Sequence, residues 1–79
     1  MSEDEFVARA HEFLQLRIGD QANRVEGDTE LVASGILDSL LVLEFFFFLE
    51  EVRGSAIDPE QVSVEALSTI RNAYRLVVA

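Results

Sequence analysis

The sequence predicts an all-α domain, a four-helix bundle with a short third helix and a long loop between the first two. Three observations predict it. Apolar residues recur at spacings of three and four in separate stretches, nothing alternates with period two for long, and helix-start signals stand at Ser2, Asp38 and Asp58. With 79 residues, 49% of them hydrophobic, residues 1–79 form one domain with material for a small core.

Ser2 with Glu5 three residues on is a capping box, and acids fill the turn that follows. Phe6, Ala10, Phe13 and Arg17 then fall on one stripe, widened by Val7 and Leu14, so the first helix runs to about Arg17 and ends at Gly19. Residues 19–37 hold three glycines and only scattered apolar positions, a loop unusually long for a small domain. Leu31, Ile36 and Leu37 predict that it is pinned across the surface. Asp38-Ser39 opens the second helix, which meets no breaker until Gly54. Asp58-Pro59-Glu60-Gln61 starts a short third helix, with Asp58 as cap, Pro59 in the first turn and Gln61 closing the box. Ser63 caps a fourth, with Val64, Leu67, Ile70, Tyr74 and Val77 on its apolar stripe.

Composition removes several function classes. There is no cysteine, hence no disulfide, no thiolate catalysis and no CxxC zinc site, which fits a reducing cytoplasm. His11 is the only histidine and lies beside the apolar stripe of the first helix, at its solvated edge, so a Ser–His–Asp or metal-ligand arrangement has little to draw on. No glycine-rich phosphate loop is present, and an enzyme is not expected. The net charge of −9 argues against nucleic acid and anionic membranes as partners. Residues 26–65 hold ten acids against Arg53 and carry that whole −9, while the flanks cancel. The acidic start is unlike a secretory leader, and the greasy run Leu40–Leu49 contains Glu44 and is half a membrane span, so a cytoplasmic protein without a span is expected.

The informative segment is Leu31 to Leu40, ending Ser-Gly-Ile-Leu-Asp-Ser-Leu at the head of the second helix. A serine there is by itself an ordinary helix-start residue. Its setting, after a long loop in a small acidic helical domain, resembles the acyl carrier and peptidyl carrier protein superfamily. The match is to Gly35-Ile36-Leu37-Asp38-Ser39-Leu40, then Leu43, Glu44 and Glu50-Glu51, then Ile57-Asp58 and Val62 to Leu67. Element order and length agree over the whole chain, while the specific motif spans six residues. The resemblance implies that Ser39 carries 4′-phosphopantetheine derived from coenzyme A, with Asp38 helping a phosphopantetheinyl transferase position the serine and the metal-bound coenzyme. It further implies an acyl- or aminoacyl-loading ligase or transferase as partner, with downstream enzymes that use the thioester.

Departures from the family pattern refine the expectation. Fatty-acid carriers usually have an acid two residues after the serine, where this chain has Leu41. The helix then continues Phe45-Phe46-Phe47-Phe48, and Gly-Ile-Leu-Asp-Ser is a phrase of discrete carriers for amino acids and natural products. A carrier for a dedicated acyl or aminoacyl pathway is therefore expected. The alternatives are a housekeeping fatty-acid carrier and an unmodified helical interaction module.

If Leu43 and Phe46 face the core, with Leu49 or Glu50 following, then Leu40, Leu41, Phe47 and Phe48 turn wholly or partly toward solvent. With Glu44 and Glu51 they would form the partner-binding face of a monomer, the alternative being a rotated helix or weak self-association. Leu43, Phe46, Ile57, Leu67 and Ile70 are the candidates to line a pocket for the carried group, the alternative being plain core.

Overall fold

The Ser2 hydroxyl accepts a hydrogen bond from the Glu5 amide at 3.2 Å, fixing the start of α1 (Glu3–Ile18), whose first turn carries Glu3, Asp4 and Glu5. The computed structural model describes residues 1–78, with the Gln61 side chain also left out of the description. The expected box closure by Gln61 therefore lies outside the described residues. Gly19 ends α1 with φ of 63°, a conformation that favours glycine. The helix buries Phe6, Ala10, Phe13 and Leu14.

The segment from 19 to 37 is fastened along its length. It begins with a 3-10 turn at Gly19–Arg24 and sinks Ala22, Val25, Leu31 and Leu37 into the core. The Leu31 amide donates to the Ser68 carbonyl at 2.7 Å, the Arg71 amide to the Gly27 carbonyl at 3.1 Å, and the Leu37 amide to the Leu31 carbonyl at 2.9 Å. Arg71 adds ion pairs to Asp28 at 2.9 Å and Glu3 at 3.2 Å. The loop is thus strapped to the C-terminal part of the chain, as its apolar residues predict; Ile36 is only half-buried.

Helix α2 (Ser39–Arg53) is capped by Asp38, whose Oδ1 accepts from the Leu41 amide at 2.8 Å, and closed by Gly54 at φ of 79°. The Glu50 carboxylate reaches past the helix end to accept from the Ile57 amide at 2.8 Å. The core face of α2 is Leu41, Phe45 and Leu49, which corrects the expected stripe through Leu43 and Phe46. Leu43 is 49% exposed, Leu41 is 7% exposed and Phe45 is wholly buried. The reason is aromatic packing against α1. Phe48 stacks on Phe13 with ring centroids 4.7 Å apart, Phe45 lies 5.8 Å from Phe13, and Phe48 lies 6.2 Å from Phe6.

The architecture is all-helical, with three α-helices and no strand among the described residues. The expected third helix is a single 3-10 turn, Pro59–Gln61, where Asp58 Oδ1 accepts from the Glu60 amide at 2.9 Å. The expected fourth helix is interrupted. Ser63 Oγ accepts from the Ala66 amide at 3.1 Å to start a 3-10 turn at Glu65–Leu67, and Val64 is left exposed. A second start follows, where Thr69 Oγ1 accepts from the Asn72 amide at 3.0 Å and α3 (Ile70–Val78) begins. Between them the Ser68 hydroxyl donates to the Glu65 carbonyl at 2.7 Å, and the Asn72 amide group donates to Ser68 Oγ at 3.1 Å. These short polar side chains take the backbone groups that a continuous helix would have used. No helix among the described residues is long and apolar enough to cross a membrane.

Candidate functional site

Ser39 stands where the strapped loop meets α2. The preceding Leu37 is anchored in the core, and Asp38 spends one oxygen on the cap, so the first helical residue has a fixed position. Ser39 is exposed, and its hydroxyl takes part in no hydrogen bond among the described residues. The unpaired amides of a helix's first turn and its positive dipole end lie around such a residue, a setting that tolerates an attached phosphodiester. No histidine or carboxylate is hydrogen-bonded to the hydroxyl, so nothing within the described residues activates it as a nucleophile.

Beside Ser39 runs a groove of about 460 Å³, lined by Ser39, Val42, Leu43, Phe46, Phe47, Pro59, Val62 and Leu67. Helix α2 supplies one wall, and the 59–67 segment supplies the other. Of the five residues expected to line a pocket, Leu43, Phe46 and Leu67 do so. Ile57 and Ile70 do not; both are buried core, at 2% and 0% exposure. Val42, Phe47, Pro59 and Val62 complete the groove and are not among the five. Their signal in the sequence is Val62, the apolar residue just after the Pro59 turn, opposite an α2 face that the misphased stripe had assigned to the core.

The expected partner face divides in the same way. Leu40 and Phe47 are 65% and 56% exposed, and Glu51 is exposed. Leu41 is buried beneath the head of α2, against expectation, while Phe48 is half-buried on Phe13 and so turns only partly toward solvent. Glu44 is held by Arg17 at 2.6 Å. Leu43 joins Leu40 and Phe47 instead, giving an exposed apolar stripe that begins one residue after Ser39. A larger cleft of about 510 Å³ lies between α1 and α2, rimmed by Arg9, Glu12, Arg17 and Glu51, and does not include Ser39. No group of three or more His, Asp or Glu side chains converges as a metal site among the described residues. Comparison with protein-family models, with curated proteins and with solved structures finds no match to this chain.

Proposed function

We propose that the protein is a non-catalytic carrier, which holds an acyl or aminoacyl group on 4′-phosphopantetheine attached to Ser39 and presents it to separate enzymes. The observation that carries the reading is an exposed serine with an unengaged hydroxyl at a rigidly capped helix start, directly beside an apolar groove. In the attachment step Ser39 Oγ bonds to the β-phosphorus of coenzyme A. The bond from that phosphorus to the bridging oxygen breaks, 3′,5′-ADP leaves, and the hydroxyl proton passes to a base of the transferase. The attached arm supplies a thiol that holds the carried group as a thioester.

This chain's part is positional. Asp38 fixes the helix start and lies next to the serine, so its second carboxylate oxygen is available to a docked transferase. Phosphopantetheinyl transferase, a loading ligase or transferase and downstream thioester-using enzymes are the partners in this reading. Tethering raises the local concentration of the carried group at each docked active site. The same exposed stripe, Leu40, Leu43 and Phe47, favours a second reading, an unmodified helical module that docks into an apolar groove. A dedicated pathway is proposed over housekeeping fatty-acid synthesis, because Leu41 replaces the acid that fatty-acid carriers usually have there, and it is buried.

The two classes separate in one experiment. The protein is incubated with coenzyme A and a broad-specificity phosphopantetheinyl transferase and its intact mass is measured. A gain of one arm on the native chain and none on Ser39→Ala is expected; no gain, or an equal gain on Ser39→Ala, ends the carrier reading.

A further inference from the structure

The seam between α1 and α2 is a ladder with charged ends. Arg17 meets Glu44, and one turn further along each helix Phe13 meets Phe48, so the two helices run antiparallel across it. One more turn brings Arg9 on α1 and Glu51 on α2 to the same cleft of about 510 Å³. A smaller depression of about 290 Å³ shares Phe13 and Phe48 with it and continues past Phe47 to Glu44. At ~1.5 Å rise per residue, Arg9 and Arg17 stand about 12 Å apart along the α1 wall, and Glu44 and Glu51 about 10.5 Å apart along the α2 wall. The trough therefore has a floor of aromatic rings, arginines toward both ends of one wall and acids toward both ends of the other. Leu16 on α1 is 78% exposed and Phe47 on α2 is 56% exposed, so each wall also carries a large apolar side chain in water.

We propose that this trough is the interface of a symmetric dimer and that its occupant is a second copy of the chain. A two-fold axis parallel to the helices lays α1 of each copy on α2 of the other. Arg17 of each copy then faces Glu44 of the other, and Arg9 faces Glu51. The internal Arg17–Glu44 pair leaves those side chains 36% and 39% exposed, so two such pairs close into a ring of four alternating charges without either being broken. Leu16 lies one residue from Arg17 and Phe47 three from Glu44, which brings Leu16 of one copy within about 3 Å of the level of Phe47 of the other. Both then leave water together. A two-fold axis across the helices would instead set arginine on arginine and acid on acid, an arrangement that repulsion disfavours. Glu12 is the one acid on the α1 wall, three residues from Arg9, so the Arg9 guanidinium is shared between it and Glu51 of the second copy. Ser39 lines neither depression and stays outside the contact. Each copy carries −9, and salt of about 0.15 M, with a Debye length of about 8 Å, screens that overall repulsion more than it screens charges in contact.

Sedimentation equilibrium of the full chain at about 0.15 M salt tests the arrangement. The native chain is expected to dimerise with a Kd of about 1 mM or tighter. Arg9→Glu and Glu51→Arg change exposed side chains that make no ion pair among the described residues, so the fold should be retained in both. Each variant alone sets like charges face to face at both ends of the dimer and should be monomeric. Mixed in equal amounts, the two should recover the dimer, because one copy then brings only acids to positions 9 and 51 and the other only arginines. A native chain that stays monomeric at about 1 mM gives the trough to a different protein and overturns the proposal. So does a single variant that dimerises like the native chain, or a mixture that stays monomeric.

Discussion

The Arg17 guanidinium meets the Glu44 carboxylate at 2.6 Å across the α1–α2 seam, and it lies over the Phe13 ring, 3.8 Å from the centroid. Arg17 also donates to the Phe13 carbonyl at 3.3 Å. The first acid of α2 is therefore neutralised within the molecule, and the face next to Ser39 reads as apolar over its first two turns.

Arg17→Ala removes an ion pair whose side chains are 36% and 39% exposed, together with the cation–π contact. Each is typically worth ~0.5–1 kcal/mol, so a loss of about 1 kcal/mol in urea unfolding is expected. Glu44→Gln should cost less, because it leaves the guanidinium on the ring. Equal losses for the two variants would show that the ring contact contributes nothing.

Phe47 and Phe48, adjacent in sequence, should behave differently. Phe47→Ser replaces a side chain that is 56% exposed, so the melting temperature should hold while loading by a cognate enzyme slows. A tenfold slowing corresponds to about 1.4 kcal/mol of docking energy. Phe48→Ser removes a ring stacked on Phe13, and Leu41→Ser empties a core position; both should melt early, since large-to-small core changes cost ~2–5 kcal/mol. Normal loading by Phe47→Ser would remove it from the docking face.

Asp38→Asn and Asp38→Ala separate the cap from the charge. Asparagine keeps an oxygen for the Leu41 amide, now 2.8 Å from Asp38 Oδ1, whereas alanine leaves that amide without its cap. A stability loss of ~1 kcal/mol is expected for Ala and little for Asn. Both should be modified more slowly than the native chain if the carboxylate helps the transferase. Asn modified at the native rate would confine Asp38 to capping.

Partner association should weaken with salt. The −9 of residues 26–65 survives the Arg17–Glu44 pairing as an excess of carboxylates, including exposed Glu51, Asp58 and Glu60. Raising salt shortens the Debye length from about 10 Å at 0.1 M to about 3 Å at 1 M, so loading rates at sub-saturating carrier should fall over that range. A flat profile would assign docking to the Leu40–Leu43–Phe47 stripe alone.

Sequence reading succeeds where chemistry marks a single position. Ser2, Asp38, Gly19 and Gly54 set the ends of α1 and α2 because a cap or a positive φ has few substitutes. It fails where the marks are degenerate. From Leu40 to Leu49 only Glu44 is polar, so many rotations of α2 would bury an apolar face. Phe13 and Phe6 decide among them, and that information sits on another helix. The fourth helix fails for a related reason. Its apolar spacing continues unbroken across Ser68-Thr69, while the hydroxyls there turn the backbone twice. Ser39 was legible as the first residue of α2; the groove beside it needed the correct phase of α2.

The strap between Leu31 and Ser68 gives the molecule an order in time. The loop that delivers Ser39 is held by hydrogen bonds to Ser68 and Arg71, residues translated well after the whole of α2. A nascent chain that has emerged only as far as Gly54 has the Asp38-Ser39-Leu40 motif, its Asp38 cap and the Leu37–Leu31 bond, but not the bonds to Ser68 and Arg71. Presentation of the serine is thus expected to follow late synthesis, and a fragment ending at Gly54 should be a far poorer transferase substrate than the full chain. On the carrier reading, modification would then mark chains whose C-terminal part has already docked.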